Sequence, residues 1–140
     1  MKESVLYMPV SAEWFKLIKD GVKRVEYREI KALWVARLFL FKKIWPDGVV
    51  HYLRISKNSA INYANPDKFF RDNLKSDVSR GIIVPRYTHI EFTSGYPKKD
   101  DTERRARYKL VNIAVGFPQK GLCPDEFLKN EYLCIEFKEL

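Results

Sequence analysis

Four ionisable side chains, Lys23, Arg24, Glu26 and Arg28, fall within six residues of a segment that otherwise reads as the start of a strand. Burying any of them unpaired is costly, because a desolvated charge loses its hydration and gains nothing in return. A fold containing this segment therefore has two solutions. It pairs the charges into a polar network, or it turns them towards a cleft that holds something charged. In a regular strand alternate side chains share a face, which places Arg24, Glu26 and Arg28 on one side and Lys23, Val25 and Tyr27 on the other. Glu26 is then expected to bridge the two guanidinium groups and hold them rigid for bidentate recognition of phosphate or carboxylate. Lys23 joins that cleft only if the chain is still turning after Gly21.

The flanking sequence supplies the frame. Val5–Val10 reads as a first strand, stopped by Pro9. Ser11 is a natural N-cap for a helix over Ala12–Asp20, with Glu13 in its first turn and Lys19 in its last. Trp14, Leu17 and Ile18 share one face and read as core, and Gly21 supplies the left-handed residue that ends the helix. Arg24–Ile30 continues extended, followed by a helical turn through Leu33, Trp34, Arg37 and Leu38. Leu38–Ile44 and Val49–Ile55 flank the turn signal Trp45-Pro46-Asp47-Gly48 and predict a hairpin.

Asn65-Pro66 opens another helix, Asn as cap and Pro at the first position, carrying Phe69, Phe70 and Leu74. Ile82–Pro85 and Tyr87–Thr93 read as strands and Lys98–Arg107 as a charged loop. Lys109–Phe117 and Tyr132–Phe137 are alternating strands, with one helical turn over Pro124–Lys129 between them. The sequence contains no internal repeat and no linker. The expected fold class is α+β: a single-domain, mostly antiparallel small β-barrel with short helices covering its open ends.

With 46% hydrophobic residues among 140, the chain can bury a substantial core. The formal charge of +8 points to polyanions, with nucleic acid as the default partner. Cys123 and Cys134 lie too far apart for a metal knuckle, and His51 and His89 are isolated, so neither a metal site nor a cofactor is expected. Two unpaired thiols suit a reducing cytoplasm. Met1 to Tyr7 runs directly into strand-like sequence with no secretory pattern, and no apolar run approaches the ~20 residues that span a bilayer, so no membrane contact is expected.

Helix followed by Gly-x-Lys-x-x-Glu-x-Arg (Gly21, Lys23, Glu26, Arg28) resembles the signature of ASCH domains, a branch of the PUA-like superfamily. Trp34-Val35-Ala36-Arg37-Leu38 and Ile90-Glu91-Phe92-Thr93-Ser94-Gly95-Tyr96 resemble the same family. So does the C-terminal pattern of a strand ending in Gly116, a loop containing Gly121 and a last strand. The resemblance covers both ends of the chain and thins over residues 39–84, which read as an insertion peculiar to a subgroup. It implies a PUA-like barrel whose cleft is lined by the Lys, Glu and Arg of the motif, and a role in RNA binding or RNA metabolism. Some relatives are small amidohydrolases that deacetylate acetylated cytidine, using a Thr three residues after the Lys as nucleophile and a Glu from a later strand. Here the Thr position is Glu26, and a carboxylate cannot take over a hydroxyl nucleophile's mechanism. Glu91 is the residue available as the later acid.

Three functions follow as alternatives. In the first, an RNA- or nucleotide-binding domain, Lys23, Glu26 and Arg28 anchor an anion. Trp34 and Arg37, one helical turn apart, offer an indole for a base beside a guanidinium for phosphate. Tyr96, after Gly95, either lines the cleft or packs the barrel end. In the second, a hydrolase of a modified nucleoside or an RNA phosphodiester, Lys23 is base or electrostatic stabiliser and Glu26 or Glu91 the acid/base. The third is a protein-interaction domain. Anchoring an anion asks less of Lys23 than general-base work, which needs desolvation or added positive charge around it.

Overall fold

The computed structural model describes residues 2–55 and 65–140. In chain order its elements are β1 (Val5–Val10), α1 (Ala12–Lys19), β2 (Val25–Arg28), α2 (Ala32–Leu38), β3 (Phe39–Ile44), β4 (Val50–Arg54), α3 (Pro66–Ser79), β5 (Ile83–Pro85), β6 (His89–Ser94), β7 (Arg105–Gly116), a 3-10 turn (Asp125–Lys129) and β8 (Tyr132–Lys138). The class is α+β, with five strands in the order β1-β6-β7-β8-β2 and three in the order β4-β3-β5.

Period-two patterning sets which face of the larger sheet is buried. Leu6 pairs with Ile90 and Met8 with Phe92 in the parallel β1–β6 ladder. Ile90 opposes Tyr108, and Ile113 opposes Ile135, in the antiparallel ladders beyond it. All of these are buried, each worth about 1.5–3 kcal/mol of apolar burial for the aliphatic and Phe side chains. Phe39, Phe70, Leu74 and Ile83 of the second sheet and α3 join the same continuous core.

The expected barrel is not formed. The sheet is mixed, and among the described residues no backbone hydrogen bond joins its edges β1 and β2. Two local causes act at this seam. Pro9 has no N–H to offer a neighbouring strand. The facing side chains of the short β2 are Glu26 and Arg28, which share the buried side with Ile135 and Leu133 opposite them. Charged side chains fill the gap that a ladder would have closed: Arg28 Nη2 donates to the Pro9 carbonyl at 3.3 Å.

Two sequence expectations are revised along these strands. β1 covers the expected Val5–Val10, but Pro9 does not stop it, which an edge strand tolerates. β7 begins at Arg105, inside the expected loop, because its arginines have a cross-strand acid. Glu91 lies 3.1 Å from Arg107 and 3.5 Å from Arg105, so charges that looked solvated form pairs across the β6–β7 ladder. Within residues 39–84, of which 56–64 lie outside the described residues, the chain builds the hairpin of β3 and β4, α3 and β5. Asn65 caps α3 by accepting from Lys68 N at 3.0 Å, and Gly48 closes the hairpin turn at φ 84°.

Candidate functional site

The charged segment enters the structure through an unfinished helix end. Ser11 Oγ accepts from Trp14 N at the start of α1, and Gly21 leaves the helix at φ 80°. The N–H groups of Val22 and Lys23 then both donate to the Leu17 carbonyl at 3.0 Å. The chain is therefore still wrapped at Lys23, and its side chain turns inward instead of following strand alternation. Lys23 is 1% exposed, the most buried charged residue described.

Its ammonium is fully occupied. Nζ lies 3.1 Å from Glu26 Oε1, donates to the Leu122 carbonyl, and sits 4.4 Å from the Trp14 ring centroid, a cation–π contact that gains from desolvation. Glu26, also buried, is shared in three directions. Oε1 additionally accepts from Tyr27 N at 2.9 Å, and Oε2 lies 3.2 Å from Arg28 Nη1. Glu26 thus bridges a lysine and one arginine, a correction to the expected pair of guanidiniums. Arg24 is drawn away by the Ile18 carbonyl at 3.1 Å and Glu139 at 3.0 Å.

Arg28 is the outward member of the triad. It donates to the carbonyls of Tyr27 and Pro9, and its side chain keeps 22% of its exposure. Two cations and one carboxylate leave the triad with one net positive charge, presented through Arg28.

These groups line a cleft of ≈ 330 Å³ whose walls come from four parts of the chain. Pro9 and Val10 form one side at the end of β1, and Ser11 and Trp14 continue it from α1. Gly95 and Tyr96 contribute from beyond β6, with Tyr96 93% exposed at the mouth. Cys123, Pro124 and Phe127 close the opposite side, ahead of β8. Phe127 is held by stacking on Tyr132, ring centroids 4.3 Å apart and planes within 4°. Four aromatic residues, Trp14, Tyr27, Tyr96 and Phe127, therefore stand around a cationic floor.

Burial sets the protonation of the polar wall groups. It raises the pKa of Tyr27, opposed by the Gln119 N–H that donates to its hydroxyl. Burial likewise pushes the Cys123 thiol up, with Lys23 pulling it back. Both hold their protons at neutral pH and serve as uncharged lining.

Of the residues singled out in the sequence, Lys23, Glu26, Arg28 and Tyr96 meet at the cleft. Trp34 and Arg37 stand behind it: the guanidiniums of Arg28 and Arg37 each lie 5.3 Å from the Trp34 ring. Arg37 also donates to the Tyr7 carbonyl at 3.0 Å, so the pair braces Arg28 and does not line the cleft. Glu91 is engaged with Arg105 and Arg107 and takes no part in the cleft lining. Trp14, Cys123 and Phe127 were not legible as site residues. Trp14 packs against the core, as its spacing implies, and the signal that separates it is its place in the first turn of α1, next to the N-cap.

A second concavity of ≈ 410 Å³ lies between Glu29, Arg71 and Glu131; it mixes charge signs, with Glu131 already held by Lys75 at 3.0 Å. Among the described residues no cluster of His, Cys, Asp and Glu could hold a metal ion, and no helix is long and apolar enough to cross a membrane. Comparison with models of known families, with curated proteins and with solved structures returned no match to this chain.

Proposed function

We propose that this chain is an ASCH-like domain that binds a nucleotide, free or as part of RNA, in the cleft floored by Lys23, Glu26 and Arg28. The observation that carries the reading is the combination of one net positive charge with aromatic walls. A guanidinium clamped by Glu26 and two carbonyls is preorganised for a phosphate oxygen. Trp14, Tyr96 and Phe127 offer ring faces for a base, and such stacking tolerates base identity. The buried lysine contributes field without needing direct contact, since its donors are already engaged. The larger sheet is proposed to be an unclosed relative of the PUA-like barrel, supported by the approach of its edges β1 and β2 at Arg28. Two free thiols suit a reducing compartment, and the proposal places the protein in the cytoplasm.

The test is calorimetric titration with adenosine and cytidine monophosphates at several salt concentrations. Screening of the attraction between phosphate and the partly exposed Arg28 should weaken affinity as salt rises. Arg28→Lys keeps the charge but loses the fork, and should weaken binding by about tenfold. Lys98→Gln with Lys99→Gln should leave mononucleotide affinity within about twofold, since neither lines the cleft. Absence of binding by any nucleotide, or binding indifferent to Arg28, refutes the reading.

The burial of Lys23 against Glu26 at the floor of a cleft supports a second reading, hydrolysis of a modified nucleoside or an RNA phosphodiester, because a fixed, desolvated cation can stabilise charge that develops on a bound substrate. In that case Lys23 stabilises developing negative charge and Glu26 handles the proton. Turnover of an acetylated nucleoside that disappears in Lys23→Met would establish it, and binding without turnover would leave the first reading alone.

A further inference from the structure

The hairpin of β3 and β4 exposes several large apolar and aromatic side chains, including Ile44 (66%), Trp45 (46%) and Tyr52 (57%). Such a cluster on a protruding ribbon marks a contact surface. The same ribbon carries Lys42, Lys43 and Arg54, and among the described residues none of these three has an acidic partner. The only acid in the ribbon, Asp47, is turned to the backbone, accepting from Val49 N at 2.9 Å.

Register distributes these groups evenly. Lys42 stands opposite Tyr52 on one face, and Lys43 opposite His51 on the other. The His51 ring lies 4.7 Å from that of Trp45. Each face therefore offers a free ammonium beside a ring. The turn that presents Trp45 is held by its N–H to the Val49 carbonyl (3.0 Å) and the Gly48 N–H to its own carbonyl (2.8 Å). Little order has to be gained when something binds there.

Unpaired lysines argue against a protein partner, since interface cores are depleted of lysine. Cations interleaved with exposed rings match the surface of a single-stranded nucleic acid, whose phosphates need counter-charge and whose bases offer stacking faces. We infer that the β3–β4 hairpin is a second nucleic-acid contact, around which a single-stranded polynucleotide wraps, meeting Lys42, Arg54 and Tyr52 on one face and Lys43 and Trp45 on the other, with the two rings stacking on its bases. This names a strand as the ligand class that the cleft reading leaves open, and rests on that reading to this extent; the hairpin's own contact stands without it.

The test compares a fluorescein-labelled oligoadenylate of about twelve nucleotides with adenosine monophosphate, by anisotropy and calorimetry, on the wild-type chain and on two hairpin variants. The strand should bind at least about tenfold more tightly than the mononucleotide. Trp45→Ala should weaken strand binding by about tenfold. Lys42→Gln with Lys43→Gln should reduce the salt slope of strand binding by about 1.4, two single-strand phosphate contacts. Both variants should keep wild-type melting temperature and mononucleotide affinity. Strand binding that survives both variants unchanged overturns the proposal, as does a strand that binds no better than the mononucleotide. A wild-type dimer that dissociates in Trp45→Ala, with strand affinity unaltered, assigns the ribbon to a second copy of the chain instead. Loss of mononucleotide binding alone refutes the cleft reading and leaves the hairpin standing.

Discussion

Replacing Glu26 with Gln removes one charge from the triad while keeping its shape. Glu26 faces cationic donors on both oxygens, Lys23 at 3.1 Å and Arg28 at 3.2 Å, so the new amide must point its NH₂ group at one of them. Removing one partner of a buried pair costs about 3–5 kcal/mol, mostly as the penalty of the charge left behind. Lys23, 1% exposed, is almost cut off from water, although the Leu122 carbonyl and the Trp14 ring still support its ammonium. Arg28 keeps two carbonyl acceptors and reaches solvent, so its share of the loss is small. The expected cost is about 3 kcal/mol, at the low end of that range. With a urea m-value of about 2 kcal/mol/M, the unfolding midpoint should fall by about 1.5 M.

The decisive comparison is with Lys23→Met in the same chain. Methionine retains a flexible stem against Trp14 and removes the stranded cation, so the double variant should recover about 2 kcal/mol relative to Glu26→Gln alone. The assay is urea unfolding of the wild type, both single variants and the double variant at neutral pH. If Glu26→Gln costs less than about 0.5 kcal/mol, or the double variant loses the sum of the singles, the triad is not coupled and the reasoning fails.

Glu91→Gln should cost about 1 kcal/mol or less, because its arginine partners are partly solvated, and should leave mononucleotide binding unchanged; loss of binding or turnover would return Glu91 to the site. Alkaline stability follows from the raised thiol and phenol pKa values. Between the unfolded pKa and the higher folded one, the unfolded chain has lost protons that the native state keeps, so stability falls as pH rises. Thermal melts should therefore decline from about pH 9, where Cys123 and Cys134 titrate in the unfolded chain, and more steeply above 10 as Tyr27 and Tyr132 follow; a flat profile to pH 11 would contradict the burial of these groups. Asn65→Ala removes the side-chain cap of α3 and should cost about 1 kcal/mol in urea unfolding with no effect on ligand binding.

Much of this fold could be read from local signals that tertiary packing did not override. Ser11, Asn65 and Gly48 each act where their chemistry placed them, as two caps and a turn residue. Lys23, Glu26 and Arg28 could be singled out because charge density in a strand is locally visible. What was illegible depends on contacts distant in sequence. The bridge of Glu26 to Lys23 instead of Arg24 needed the helix end to stay wound to Lys23, and needed Glu139 to claim Arg24. Phe127 becomes a cleft wall only because Tyr132 stacks on it. The open seam between β1 and β2 reflects strand order, which periodicity does not encode.

That seam has a mechanical consequence. Where two strands are zipped by a ladder, parting them breaks several backbone bonds together, and the motion is as rare as local unfolding. Here the edges are linked at Arg28 by one side-chain bond to the Pro9 carbonyl, and Pro9 and Arg28 also line the cleft. Releasing that one bond while Glu26 and the Tyr27 carbonyl keep Nη1 is a local side-chain adjustment, far faster than breaking a sheet. The mouth of the cleft can therefore breathe without disturbing the core, and a guest that captures Arg28 also sets how far the two edges stand apart.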